Sequence, residues 1–356
     1  MTATEGLRPR DEGLSRAQEH PGKDDSPARA HPWRHGLKEH RGLLVAASLF
    51  VAMFALYIAK HPRGFSADII NTAANKGVLL ALVAMGQTIP ILTTGLDLSV
   101  GMVLVLTNCV ASYVIVGGPL ETALGVVCVV IIGLFCGIAN GVIVVYGRLQ
   151  PIIATLATGS IYYGLALLLR PTPGGTDVNT DFADAVTASL PGGIPVTIVI
   201  LAAIVLLVWA PYRRSAIGRA AYAVGSSEQA AYMSGLPIAR AKLTAYAMSG
   251  LFAALAGLVL TSITYSGEAS ASIGGSYTLN SIAAVVIGGT SLFGGSGGAI
   301  GSIFGAFVLR TIGDLLFVFD LDALWQPLFL GTVLLAAVSL DSFRLLRLKN
   351  RLDVFG

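Results

Sequence analysis

A single carboxylate, Asp97, lies between two long apolar runs at residues 78–92 and 102–116. The segment around it, residues 93–101, reads TTGLDLSVG and is rich in hydroxyl residues and glycine. If both runs cross a membrane, Asp97 lies at or near lipid depth, where a carboxylate costs at least about 2.5 kcal/mol. The group must therefore face a partner, a cavity or the membrane surface.

Two roles are open for Asp97, and they can coexist. Asp97 and Ser99 can cap the following helix by accepting its free N–H groups at a loop exposed to water. Alternatively, Asp97 lies at a broken helix beside a pathway, because Pro90 removes a helix hydrogen bond and the flanking Gly95 and Gly101 loosen the backbone. We favour a structural role, in which Asp97 holds the break in shape.

The composition is that of a helical integral membrane protein. The chain has 356 residues, of which 54% are hydrophobic and 12% charged, whereas soluble domains average about 25% charged residues. The apolar runs approach the roughly 20 residues that a helix needs to cross a bilayer. No group of side chains has the spacing of a catalytic or metal site, so we expect no enzyme activity, cofactor, metal ion or nucleic-acid partner.

The apolar runs predict an all-α, polytopic fold with about ten transmembrane helices. They lie near residues 43–59, 78–92, 100–116, 123–146, 152–169, 196–210, 243–263, 279–287, 299–318 and 324–340. Residues 65–76 are semi-polar and are expected to lie along the membrane surface. Gly133, Gly137 and Gly141 form a small-residue stripe for helix packing.

The distribution of basic residues predicts the topology. Residues 1–42 contain eight Lys or Arg, residues 211–242 five and residues 341–356 four, against one in residues 170–195. The positive-inside rule therefore places both termini in the cytoplasm. We divide the chain into a disordered tail at 1–42, a transmembrane domain at 43–340 that includes the cytoplasmic loop 211–242, and a basic tail at 341–356.

A second helix break mirrors the first. The eighth and ninth spans meet at the glycine-rich segment 288–298, as the second and third spans meet around Asp97. Two interrupted segments at matching positions in two halves of a chain indicate a transport pathway. The residues that we expect to break the helices are Pro90, Gly95, Gly101, Gly288 and Gly289.

The loop 211–242 contains a short predicted helix. Ser226 or Ser227 can cap it, Glu228 suits its positive end, and Gly235 can end it. The helix lies under the bundle or docks a cytoplasmic partner; small residues together with Met and Tyr on a polar loop favour docking. The candidate docking residues are Ser227, Glu228, Ala230, Ala231, Met233, Ser234 and Gly235.

Three segments resemble the motifs of one family. Residues 94–101, TGLDLSVG, resemble GGIDLSVG, and residues 281–295, SIAAVVIGGTSLFGG, resemble AIAAVVLGGTSLxGG. Residues 224–235, followed by Lys242, resemble GGNEAAARLSGI…K. In this order they are similar to the motifs of ribose-type monosaccharide permeases of ABC importers, which are inner-membrane components of binding-protein-dependent transport systems. The resemblance covers about residues 43–345.

The resemblance implies the partners and the site. A permease of this kind moves a monosaccharide or related polyol across the bacterial inner membrane. It acts as a homodimer or with a sister permease, receives the sugar from a periplasmic or lipid-anchored binding protein, and docks a cytoplasmic ATPase through a coupling helix, here in 211–242. From the two helix breaks and the polar groups near them, we expect the pathway residues to be Gln87, Thr88, Thr94, Asp97, Ser99, Asn108, Thr290 and Ser291.

Two departures from the motifs bear on the substrate. Thr94 stands where the signature usually has Gly, and Met102 stands where a small residue is common, so the path beside Asp97 can differ in shape. Among these pathway residues we assign direct sugar contact to uncharged groups such as Gln87 and Asn108.

Other transport functions remain open at this point. A nucleoside, branched-chain amino acid or signalling-sugar permease of the same superfamily is the nearest alternative. A secondary transporter that couples an ion to Asp97 or Glu268 is disfavoured, because intramembrane acids are few and the docking loop would have no purpose.

Overall fold

The computed structural model describes residues 41–174, 178–336 and 339. Its helices are α1 Arg41–Lys60, α2 Ala67–Leu92, α3 Val100–Val114, α4 Pro119–Val145, α5 Pro151–Leu169, α6 Thr180–Thr187, α7 Val196–Ile204, α8 Ala210–Arg214, α9 Ala216–Ser226, α10 Glu228–Met233, α11 Ile238–Thr264, α12 Ala271–Ile287, α13 Ala299–Val318 and α14 Gln326–Ala336. A π-helical turn, Val205–Trp209, joins α7 to α8. The strands β1 Ser189–Leu190 and β2 Ile194–Pro195 form one antiparallel hairpin. The predicted tails, apart from residues 41–42, lie outside the described residues.

The prediction of an all-α membrane protein is confirmed. In the described part of the chain, seven helical segments are long and apolar enough to cross a membrane: α1, α2, α4, α5, α7–α8, α11 and α13. Three shorter apolar helices, α3, α12 and α14, accompany them. The described residues therefore contain the approximate number of apolar helices that the sequence indicates.

Two helices begin earlier than predicted, and both are capped by serine. α2 starts at Ala67, so the semi-polar residues 65–76 largely belong to this helix; Ser66 Oγ accepts the N–H of Ile69 at 3.3 Å. α12 starts at Ala271, where Ser270 caps it in the same way. A hydroxyl that accepts a free N–H fixes the start of a helix, and the apolar runs alone do not reveal it.

The centre of the bundle is α2, whose residues from Val78 to Leu92 are all buried. α2 packs against α11, α12 and α13, and α11 packs in turn against α3 and α4. The helix continues through Pro90 to Leu92. The predicted break before Asp97 therefore begins after Leu92, with Pro90 in the last turn of α2.

The predicted glycine stripe on α4 packs against α11. An added Cβ at Gly137 would lie 2.2 Å from the carbonyl oxygen of Tyr246, and one at Gly133 would lie 2.6 Å from that of Gly250. Gly250 returns the contact, because its own Cβ would lie 2.1 Å from the carbonyl oxygen of Gly133. The two backbones are thus close enough that only glycine fits.

We expect Gly137→Val to separate α4 from α11 and to destabilise the protein, since overpacking a close contact costs about 1–3 kcal/mol. The apparent melting temperature of the purified protein in detergent measures the effect. Gly164→Ala on α5 is the control, because an added Cβ there meets no atom within 4 Å. Equal melting temperatures for the two variants would contradict the packing described here.

Candidate functional site

The first junction, residues 93–99, begins with a tight helix end. The carbonyl oxygen of Pro90 accepts the N–H groups of Thr93 and Gly95, both at 2.9 Å. Thr94 between them has a left-handed backbone with φ of 62°. A left-handed residue followed by an N–H that bonds five residues back is the Schellman type of helix ending, and it closes α2 without leaving backbone groups free.

Asp97 is 1% exposed and accepts three hydrogen bonds. Its Oδ1 accepts the backbone N–H of Ser99 at 3.0 Å and the Ser99 hydroxyl at 2.6 Å. Its Oδ2 accepts the hydroxyl of Ser249 on α11 at 2.7 Å. Within the described residues no cation lies within ion-pair distance of it. Three neutral donors therefore compensate its burial, and they tie the junction to α11.

This geometry corrects the idea of a cap at a water-exposed loop. Asp97 accepts an N–H just before α3, but it does so inside the bundle. Ser99, at the start of α3, makes no side-chain cap; its hydroxyl accepts Asn140 Nδ2 at 2.7 Å. Asn140 Oδ1 in turn accepts the hydroxyl of Tyr162 at 3.1 Å, so the network continues into α4 and α5.

Sequence reasoning missed these partners. Asn140 carried the clearest signal, because it is a polar residue in an apolar span and directly precedes Gly141 of the packing stripe. Ser249 and Tyr162 carried no distinctive pattern. The partner of a polar group depends on which helices become neighbours, and one span does not show that.

The second junction, residues 288–298, repeats the helix ending of the first. Gly289 has φ of 82°, and the N–H of Thr290 bonds to the carbonyl oxygen of Val285 at 3.1 Å. Thr290 is buried, and its hydroxyl accepts the N–H of Gly298 at 3.0 Å. Ser291 is half-buried and accepts the N–H of Phe293 at 3.2 Å. The two breaks therefore share backbone geometry as well as position.

The two junctions touch each other and the end of α9. The N–H of Gly295 in the second junction bonds to the carbonyl oxygen of Leu92 at 3.1 Å. Gly225, near the end of α9, lies against both, since an added Cβ would be 1.9 Å from that oxygen and 2.4 Å from the Gly295 nitrogen. The loop 211–242 is thus packed directly on both helix breaks.

α10 lies next to this contact in the same loop. Ser227 Oγ accepts the N–H of Ala230 at 3.3 Å, and Gly235 has φ of 69° after the helix ends. Both carboxylate oxygens of Glu228 lie 2.8 Å from Lys242 Nζ. α10 has one buried and one exposed face: Ala231 is 3% exposed, whereas Tyr232 and Met233 are 76% and 75% exposed.

A cleft of about 900 Å³ lies between α10, the start of α11, the turn at 147–151 and the first junction. Its basic lining residues are Arg148, Arg240 and Lys242, and Glu228 is the acid among them. Tyr246 also lines it; its hydroxyl has no hydrogen-bond partner in the described structure. The cleft is therefore positively charged and reaches the junction beside Asp97.

The other predicted pathway residues lie in two separate places in the structure. Thr88 on α2 is buried and donates to Ser302 Oγ on α13 at 2.7 Å. Gln87 is fully buried, and neither of its amide atoms has a partner among the described groups. These two residues lie within α2, one turn before the first junction.

Asn108 is placed elsewhere. Its Nδ2 donates to Thr261 Oγ1 at 2.8 Å and to the carbonyl oxygen of Ser266 at 3.0 Å, and its Oδ1 accepts the N–H of Glu268 at 3.0 Å. Asn108 lies just past the midpoint of α3 and anchors the loop between α11 and α12. Glu268 is exposed on that loop.

A bundle of apolar helices with two matched, hydrogen-bonded breaks defines a polytopic membrane transport protein. The chain belongs to the family described as branched-chain amino acid transport system / permease component, whose model matches residues 69–338. It is therefore a permease component and not itself an enzyme.

Curated relatives cover most of the chain. The ribose import permease of Haemophilus influenzae is 35% identical over 296 residues, which is 82% of this chain and 91% of the relative. The ribose import permease of Bacillus subtilis is 37% identical, over 73% of this chain and 80% of the relative. The fructose import permease of Rhizobium meliloti is 32% identical, over 83% of each. No solved structure matches this chain.

We expect Asp97→Ala to destabilise the protein by at least about 2 kcal/mol, because it leaves the buried hydroxyls of Ser99 and Ser249 without an acceptor. Thermal unfolding in detergent measures this loss. Asp181→Ala on α6, which removes an exposed acid, should change stability by no more than about 0.5 kcal/mol. A fully stable Asp97→Ala variant would reduce this carboxylate to a dispensable group.

Thr94→Gly should stabilise the protein by about 1 kcal/mol, since a β-branched residue is strained at its left-handed φ and glycine is not. Thr93→Gly is the matched control: Thr93 has an ordinary φ of −98° and bonds to Pro90 through its hydroxyl. It should lose stability. Melting temperatures that fall equally for both variants would rule out strain at Thr94.

Proposed function

We propose that the chain is the transmembrane permease subunit of an ATP-driven ABC importer that moves a monosaccharide or related polyol into the cytoplasm. The observation that carries this proposal is the contact of Gly225 with both helix breaks. It links a basic cytoplasmic loop directly to the segments that interrupt the membrane helices. A subunit that converts events at a cytoplasmic ATPase into movement of a pathway needs such a link.

The relatives favour a sugar as the transported molecule. Their names specify ribose and fructose, and another relative, 32% identical over 73% of this chain, is a D-allose transport permease of Escherichia coli. The family description names branched-chain amino acids, which keeps such an amino acid as the second candidate. An ion-coupled mechanism gains no support. Both carboxylate oxygens of Asp97 already accept hydrogen bonds, and Glu268 is exposed on the loop between α11 and α12.

We assign the ATPase to a separate cytoplasmic subunit that docks on α10 and the adjacent cleft. Tyr232 and Met233 offer exposed apolar contact, and Arg148 and Arg240 offer positive charge for acidic groups of the partner. The Glu228–Lys242 pair braces α10 against α11, so force on α10 reaches α11 and α9 together.

The remaining partners follow from the type of importer. A periplasmic or lipid-anchored binding protein delivers the sugar on the face opposite α10, and a second permease, either an identical copy or a sister chain, completes the pathway. With α10 in the cytoplasm, both termini are cytoplasmic in the bacterial inner membrane.

Movement of the docked loop reaches the pathway through short contacts. Gly225 lies against the carbonyl oxygen of Leu92 and the N–H of Gly295, so a shift of α9 cannot leave both in place. We infer that α9 and the two junctions rearrange together between discrete packed states as the ATPase closes and opens.

We expect the double change Tyr232→Ala and Met233→Ala to abolish ATP-driven uptake and to lower co-purification of the ATPase at least about tenfold, because both side chains lie on the exposed face of α10. Reconstituted proteoliposomes and affinity purification measure the two effects. Leu168→Ala on α5, where the leucine is 82% exposed, is the control and should keep both activities.

Normal uptake by the double variant would contradict docking through α10. Uptake by the wild-type protein that proceeds without ATP and collapses with a proton uncoupler would contradict the proposed class of transporter itself.

A further inference from the structure

A polar cavity of about 180 Å³ lies toward the other side of the bundle from the two junctions. Four helices contribute hydrogen-bonding side chains to it: α2, α12, α13 and α14. The polar lining residues are Lys76, Ser276, Tyr277, Asn280, Arg310 and Gln326.

Its depth follows from the positions of these residues along their helices. Tyr277 lies six residues after the start of α12, which is about 9 Å at 1.5 Å per residue. Arg310 lies eight residues before the end of α13, which is about 12 Å. Along the helix axes the cavity therefore lies between the end of the bundle remote from the junctions and its centre, and Lys76 and Ser276 are exposed at its side.

An internal ion pair explains only part of this cluster. Arg310 Nη2 bonds to Asp314 Oδ1 at 2.8 Å, one turn further along α13, as the sequence spacing suggests. The Nε of the same guanidinium is buried without a partner in the described structure. The pair leaves the amides of Asn280 and Gln326 unexplained, and because polar groups at membrane depth are costly, their presence there indicates a function.

The side chains crowd around a glycine on α13. An added Cβ at Gly313 would lie 3.0 Å from Gln326 Nε2 and 3.5 Å from Arg310 Nη1. The absence of a side chain thus lets α14 bring its amide next to the guanidinium. On the opposite wall, Ser276 and Lys76 are exposed in the single chain, so the cavity is open on the side where a hydroxyl and an ammonium need water or a protein neighbour.

We propose that this cavity is a carbohydrate-binding site on the transport path, an inference that rests on the proposed function. Amide, hydroxyl and guanidinium groups present both donors and acceptors to the hydroxyls of a monosaccharide, and the Tyr277 ring offers an apolar surface to its C–H groups. The volume lies below the roughly 300–1,000 Å³ of drug-sized sites, which suits one small ligand. Among the described residues the lining contains two cations, Lys76 and Arg310, and no acid, and Arg310 is already paired with Asp314.

The test uses the complete importer, reconstituted with its ATPase and binding protein. Uptake of D-ribose, D-fructose and D-allose by the wild-type protein first identifies a transported sugar. If neither these three nor a wider panel of monosaccharides and polyols is transported, the proposed function fails before any variant is compared. With a transported sugar in hand, Asn280→Ala should lower the maximal uptake rate at least about tenfold, while ATP hydrolysis stimulated by the loaded binding protein stays within about twofold of wild type.

Two further variants separate a sugar site from a structural role. Asn280→Gln keeps an amide and should recover part of the uptake that Asn280→Ala loses. Ser272→Ala, about two turns earlier than Asn280 on an exposed position of α12 and outside the cavity, should transport normally. Melting temperatures of all three purified proteins should agree within a few degrees.

A cavity that does not bind sugar predicts a different result. Uptake by Asn280→Ala within twofold of wild type would overturn the proposal, as would uptake and stimulated ATP hydrolysis that fall together by the same factor. Inhibition by a sugar acid far stronger than by the neutral sugar would also overturn it, since the cavity would then select a negative charge.

Discussion

The structure depends on satisfying the backbone groups that two interrupted helices expose inside an apolar bundle. Water is scarce there, and an unpaired N–H or carbonyl costs several kcal/mol. The protein closes α2 and α12 with the same type of ending and then joins the two breaks through the bond between the Gly295 N–H and the Leu92 carbonyl. Each break thereby supplies a hydrogen-bond partner to the other, and neither can move alone.

The same constraint explains the glycines around the contact. Gly225 lies where any side chain would collide with Leu92 and Gly295, so the loop 211–242 approaches both breaks at backbone distance. Asp97 adds a second attachment, because its carboxyl group draws donors from its own junction and from α11. The loop, α11 and the junctions consequently form one hydrogen-bonded unit rather than separate segments.

The sequence predicted the features that depend on local pattern. Apolar length indicated the spans, the spacing of Gly133, Gly137 and Gly141 indicated a packing face, and a serine cap with a glycine stop indicated α10. It did not predict that α2 starts at Ala67, because polar residues in a helix that faces protein or water resemble a loop. The hydrogen bond from the Ile69 N–H to Ser66 Oγ, which marks the start of the helix, is visible only in the structure.

The candidate site was harder to predict for a related reason. A carboxylate in an apolar segment predicts that hydrogen-bond donors surround it. That Ser249 is one of these donors, and that the network extends to Asn140, depends on which helices become neighbours. Asn108 illustrates the converse: its polarity suggested a pathway residue, whereas its amide is occupied by Thr261 and the loop after α11. A polar side chain within the membrane needs hydrogen-bond partners. A neighbouring helix or loop can supply them as well as a transport pathway can.

The two polar regions of the bundle share their helices. α2, α12 and α13 each have one end at a junction, and each also contributes to the cavity that contains Lys76, Asn280 and Arg310. Along α2, Lys76 and Leu92 are sixteen residues apart, about 24 Å of continuous helix. A helix of that length, buried and well packed, moves as a nearly rigid rod, so a displacement at the junctions changes the cavity at its far end. The geometry therefore allows a displacement of the loop 211–242 to alter a polar site on the other side of the bundle without any intervening flexible segment.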